Sequence, residues 1–158
     1  MFRAGTFVAD RLQEANEEPL DPEQVQPNGV DLTLGAVYEQ TAPGRIGQDG
    51  KTVGDRRELH PEGDVFRLSP GRYVAEYGEV VRVPRSHVGF VYPRSSLMRN
   101  TTMLNTAVWD AGYEGVGEGL LQVGHEIEIE PGARIAQFVL AAADHEGTYQ
   151  GDYQGERL

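Results

Sequence analysis

Residues 93–100 read PRSSLMRN, which places two hydroxyls, Ser95 and Ser96, between Arg94 and Arg99. Guanidinium forks and serine hydroxyls are the groups with which a chain holds several phosphate oxygens at once. The chain carries only 14 Lys and Arg against 25 Asp and Glu, so the same arginines could equally pair with surface carboxylates while the serines cap a turn. Other chemistries find less support. His60, His87, His125 and His145 lie far apart and there is no cysteine, which excludes a zinc centre of the His/Cys type. No Gly-x-Ser-x-Gly elbow for a serine hydrolase occurs. The run GRIGQDGKT, residues 44–52, looks like a phosphate-binding P-loop, but five residues separate Gly44 from Gly50 where that motif needs four. No helical pattern follows Thr52, so a β-turn in a solvated loop is the better reading.

The elements that must position these groups are mostly strands. Short runs rich in Val, Ile, Leu, Phe and Tyr occur at 30–40, 65–68, 80–83, 87–92, 120–123, 126–130 and 135–141. EIEIEPG alternates residue by residue and then turns, as a half-buried strand does. The 20 glycines and 9 prolines fall at the gaps. A short helix over 7–16 with Thr6 as cap precedes the strands. This pattern predicts an all-β fold, a sandwich, jelly roll or related barrel, with a short N-terminal helix. Length fits one domain, 1–158, with 42–64 as a polar loop and 146–158 as a mobile tail.

A formal net charge of −11 argues against a nucleic-acid polymer as ligand. Lys51 is the only lysine. Dense carboxylate with little lysine suggests a protein kept soluble in high salt, and it resembles the composition of salt-loving archaeal proteins. No apolar run approaches the length of a membrane span, and the absence of cysteine makes a cytoplasmic location the simple expectation.

Five segments in order resemble the motifs of the trimeric dUTPase and dCTP deaminase superfamily: QPNGVDLTLG (26–35), PRSSLMRN (93–100), AVWDAGYEG (107–115), GARIAQFVL (132–140) and YQGDYQGERL (149–158). The resemblance implies a distorted jelly roll of the β-clip kind and a homotrimer with three sites at subunit boundaries. It implies hydrolysis of dUTP to dUMP and pyrophosphate with Mg2+ carried on the triphosphate. Asp110 matches the aspartate that activates the attacking water. Tyr113 matches the tyrosine whose ring packs under the sugar and leaves no room for a 2′-hydroxyl. Arg94 and Ser95 fall at the phosphates, Arg99 matches a second arginine of the deaminase version, and Ser96 is expected to support the turn. Gln137 corresponds to a phosphate-binding glutamine. Arg134 is expected to pair with Asp31, which could instead hold magnesium through water. Tyr149, Tyr153 and Gln154 could close over bound triphosphate as a lid does.

The deaminase branch needs a glutamate about five residues after the glycine matching Gly115 and an arginine two before the aspartate. Leu120, or Gln122 after a small shift, and Val108 occupy those positions here. Glu118 stands at another offset and is expected on a different strand phase, leaving it either a displaced base or a surface carboxylate. Hydrolysis is therefore the expected activity. A dCTP deaminase, a combined deaminase and dUTPase, or an inactive nucleotide-binding module are the alternatives.

Overall fold

Two twelve-residue strands with alternating apolar side chains organise the chain. The computed structural model describes residues 1–158. In chain order its elements are α1 (Gly5–Gln13), β1 (Val25–Gln26), β2 (Gly29–Gln40), β3 (Arg45–Gly47), β4 (Gly50–Thr52), β5 (Arg56–Leu59), β6 (Phe66–Leu68), β7 (Gly71–Arg82), β8 (His87–Pro93), α2 (Ser95–Arg99), β9 (Thr102–Asn105), β10 (Glu114–Val123), β11 (Ile127–Ile129) and β12 (Arg134–Ala142). The main sheet runs β8-β12-β2-β7-β10-β9, with β1 and β5 added along β2. Every pairing in it is antiparallel. The sheet curls until its ends meet: Gly89 of β8 exchanges both backbone bonds with Trp109, at 2.8 and 3.1 Å, beyond the end of β9. The fold is the distorted, nearly closed all-β roll expected from the sequence.

The pleat buries every second residue of β10, from Gly115 through Val123, and β2, β7 and β12 send Leu32, Leu34, Tyr77, Val81, Ile135 and Phe138 into the same core. Each such side chain removed from water contributes roughly 1.5–3 kcal/mol. Helix α1 closes one opening of the roll by burying Val8 and Leu12. A buried carboxylate, Glu79, ties the N-terminal turn to β7 by accepting from Gln24 Nε2 at 2.7 Å, Thr33 N at 2.9 Å and Thr33 Oγ1 at 2.9 Å.

Several sequence expectations need correction. The helix begins at Gly5, with Ala4 at the cap position and no side-chain cap bond, so Thr6 lies inside the first turn. The 42–64 segment is more than a loop: β3 and β4 form a hairpin there, and β5 pairs with β2. Two glycines of the P-loop-like run, Gly47 and Gly50, face each other where that hairpin closes over its Gln48–Asp49 turn. Strands β7 and β10 begin far earlier than their apolar runs. The first half of β10, EGVGEG, is glycine-rich because bulky partners press on it: a Cβ at Gly117 would stand 1.8 Å from the Trp109 ring.

Candidate active site

A tight turn fixes Asp110. The Trp109–Gly89 bridge anchors it on one side, and Tyr113 N closes it by donating to Asp110 O at 3.2 Å. Gly112 has φ +84°, the left-handed region that a side chain rarely enters, and its N–H donates to Val83 O at 2.9 Å. Val83 N donates in turn to Tyr113 O at 2.9 Å. The Asp110 side chain is exposed, while Trp109 and Tyr113 behind it are buried.

Asp110 and Tyr113 line one cavity of about 650 Å3, together with Arg56, Glu118, Tyr149 and Tyr153. That volume suits a nucleotide-sized ligand. The aromatic wall is ordered edge to face: Trp109 meets Tyr113 at 5.0 Å and Tyr113 meets Tyr149 at 5.5 Å between centroids. Burial pushes the Tyr113 phenol well above its ordinary range, and the charges of Glu156, Tyr149 and Glu118 add to the shift. Tyr113 therefore stays a neutral ring at physiological pH.

Glu118 corrects the sequence reading. A two-residue pleat period places Glu118, Leu120 and Gln122 on one face of β10, so Glu118 shares the phase of Leu120 and lines the same cavity as Asp110. Its carboxylate is not free. Arg56 Nη1 donates to both oxygens, at 2.8 and 2.7 Å, and Arg157 Nη2 lies 2.8 Å from Oε1. Glu156 lines the cavity too, and burial raises its pKa, with Glu118 adding to the rise and Arg56 opposing it. Sequence reasoning passes over Arg56 because it lies in a segment that reads as a polar loop. The signal available is the GDRREL run, 54–59, whose arginines precede a strand-compatible pair.

The C-terminal segment borders the same cavity. Tyr149 N donates to Ala111 O at 2.7 Å. Gly155 N donates to Glu114 O, and Val116 N to Glu156 O, both at 2.9 Å. The tail thus uses the edge of β10 that β9, paired only with Leu120–Val123, leaves open. Gln154 donates to Gly112 O at 3.1 Å and accepts from Glu114 N at 3.4 Å.

The other sequence-selected residues form a second region. From Gly89, paired with Trp109, strand β8 runs on toward Arg94, roughly 16 Å by the rise of an extended chain. Neither Arg94, Ser95, Ser96, Arg99 nor Gln137 lines the Asp110 cavity. Ser95, Ser96 and Arg99 are exposed on α2, whose Leu97 is its only buried residue. Gln137 stands in register between Tyr92 of β8 and Asp31 of β2.

Asp31 is 2% exposed and faces two guanidiniums, Arg94 Nε at 3.4 Å and Arg134 Nη1 at 3.7 Å from its Oδ2. Burial raises its pKa, and the two arginines pull the other way. This setting suits an ion pair and repels a further cation, so the carboxylate is badly placed to hold magnesium even through water. Arg134 also donates to Glu23 O, at 2.5 Å, tying this region to the N-terminal turn. No group of three or more His, Cys, Asp or Glu side chains gathers anywhere as a metal cage.

A nearly closed antiparallel roll with an acidic and aromatic cavity, and an arginine-serine helix just beyond its outer strand, defines an all-β fold of the jelly-roll kind. Residues 2–143 match the dCTP deaminase-like family, and the chain belongs to it. It is 56% identical over 163 residues to a protein of Halobacterium salinarum named probable deoxyuridine 5'-triphosphate nucleotidohydrolase, covering 99% of this chain and 96% of the relative. A protein of Aeropyrum pernix with the same name is 43% identical over 138 residues, 85% of this chain and 87% of its own. Among solved structures, the 2'-deoxycytidine 5'-triphosphate deaminase of Agrobacterium tumefaciens shares the fold, with TM-score 0.68 at 22% identity. That alignment covers 90% of this chain and 48% of the deaminase, so the chain spans about half its length. No helix is long and apolar enough to cross a membrane.

Proposed function

We propose that the chain hydrolyses dUTP to dUMP and pyrophosphate. The observation that carries this is the near full-length match, at 56% identity, to the Halobacterium dUTP nucleotidohydrolase, combined with Asp110 and Tyr113 lining one cavity. Hydrolysis at the α-phosphorus needs a water aimed in line and relieved of a proton. Asp110 is the carboxylate that does both, since it is exposed at the cavity wall, where a water can reach it. Tyr113 packs under the deoxyribose, its ring held between Trp109 and Tyr149 so that it cannot retreat from a 2′-hydroxyl.

Arg94, Ser95 and Gln137 bind the phosphates, with Arg99 as a further guanidinium and Ser96 supporting the turn. Magnesium bound to the triphosphate supplies positive charge against the departing pyrophosphate. A single subunit keeps these donors away from Asp110, and a homotrimer resolves that by setting the phosphate donors of one subunit against the Asp110 cavity of the next. Exposed apolar side chains on and beside the outer strand, Phe2, Tyr92 and Met98, supply surface for such an assembly. Tyr149, Tyr153 and Gln154 close over the bound nucleotide.

Hydrolysis is favoured over deamination by the state of the nearest candidate proton carrier. Moving ammonia off cytosine needs a carboxyl that accepts and releases protons. Both oxygens of Glu118 are already engaged by Arg56, Arg157 takes one of them as well, and the adjacent same-face residue is Leu120. The test is product analysis with dUTP and dCTP side by side in the presence of magnesium. Pyrophosphate and dUMP from dUTP, without ammonia from dCTP, is the expected result. Ammonia from dCTP would establish a deaminase or combined enzyme, and tight dUTP binding without product would establish an inactive module.

A further inference from the structure

Glu118 of β10 and Glu76 of β7 are direct cross-strand partners. Two carboxylates opposed in this way repel each other, and both side chains are only 17% exposed. Two arginines from distant parts of the chain relieve that repulsion. Arg56, at the start of β5, takes Glu118 with both oxygens. Arg157, from the tail, reaches Glu118 and Glu76 together. Its guanidinium also lies 5.2 Å above the ring of Tyr38, whose hydroxyl donates to Glu76 at 3.1 Å. Arg157 has φ +56°, a left-handed conformation that a non-glycine residue keeps where its contacts fix it.

We propose that Arg157 is the latch of the tail: it docks on the Glu118–Glu76 carboxylate pair, which Arg56 completes, and so positions Tyr149 and Tyr153 at the Asp110 cavity of its own chain. It is a positioning residue. The tail's other ionic anchor, Lys51 to Asp152 at 3.1 Å, is well exposed and weakened by screening. Without Arg157, Glu118 keeps Arg56 and Glu76 keeps only the neutral Tyr38 hydroxyl, and releasing the tail leaves a like-charge pair half buried. The dock and the latch therefore stabilise each other. The benefit to catalysis rests on the dUTP hydrolysis proposed above; the latch itself does not.

Hydrogen exchange of the 149–157 amides, on the full chain without nucleotide, reads the latch directly. Arg157→Gln and Glu118→Gln should each speed that exchange by about tenfold, the factor that 1.4 kcal/mol gives. The double variant should be no faster than Arg157→Gln alone, since that change already removes the contact to Glu118 along with the one to Glu76, and Arg157→Lys should restore part of the protection. Unchanged exchange in Arg157→Gln, or fully additive effects in the double variant, would overturn the proposal. In turnover of dUTP, Arg157→Gln should lose activity by a similar factor. A fast-exchanging tail with full turnover would sever the latch from the reaction, whereas absence of turnover in the unmodified protein would strike the dUTP assignment and leave the exchange result standing.

Discussion

The Asp110 cavity and the Arg94 region are built on opposite physical plans. The cavity is self-contained: its wall of Trp109, Tyr113 and Tyr149 is packed, its Glu118 is met by Arg56 and Arg157, and its rim is bound to β10 by backbone bonds. The Arg94 region is open. Ser95, Ser96 and Arg99 are exposed, and Arg94 is anchored through a single buried carboxylate, Asp31. A site for the sugar and base gains from rigid shape, which packing supplies. A site for phosphates gains from donors left without partners until the ligand arrives, and an exposed segment just beyond the outer strand supplies that.

The largest effect is expected in the packed half. Asp110→Asn should lower kcat for dUTP by on the order of 10³-fold or more while leaving nucleotide binding intact; retention of most of the rate would remove Asp110 as the base. In the open half, Arg94→Ala should lower kcat/KM by on the order of 10²-fold. Arg94→Lys should not restore it, because a point charge lacks the guanidinium fork. Tyr113→Ala should leave dUTP turnover measurable but cut the preference for dUTP over UTP by roughly tenfold or more, and an unchanged preference would take Tyr113 out of the sugar pocket.

The smallest effect concerns the foot of the strand that carries Arg94. His87, at the start of β8, is 4% exposed, accepts from Arg3 Nε at 2.7 Å through Nε2 and stacks on Phe7 at 5.1 Å. Burial lowers its pKa, and the charges of Arg3, Arg11 and the N-terminus add to that. The folded state thus keeps His87 neutral where the unfolded chain begins to take up a proton. Its stabilisation is present above the ordinary histidine range and is lost as pH falls through about 6.5 and below. Melting temperature should drop over that window, and His87→Asn should flatten the drop. Equal pH dependence in both proteins would show that His87 does not carry it.

The two regions also differ in how plainly the sequence announces them. Arg94, Ser95, Asp110, Tyr113 and the tail tyrosines stand in short runs of distinctive residues, and the strand-rich pattern leads to the all-β fold without them. The Arg56–Glu118 pair is hidden because its members lie 62 residues apart, and no local pattern marks a long-range ion pair. Glu118 is further obscured by the glycines around it, which exist to admit Trp109 and Tyr77 and carry no apolar alternation of their own. The early starts of β7 and β10 are lost for a related reason: their outward faces carry Arg72, Glu76, Glu114 and Glu118, so apolar runs mark only the ends of these strands.

Whether the two regions serve one nucleotide is tested most directly by mixing two disabled chains. Asp110→Asn keeps the Arg94 region, and Arg94→Ala keeps the Asp110 cavity. Co-expressed, or unfolded and refolded together, they should regain about a quarter of wild-type activity in randomly mixed trimers, because that share of boundaries pairs two intact halves. Activity no higher than the sum of the separate variants would contradict a site shared between neighbouring subunits.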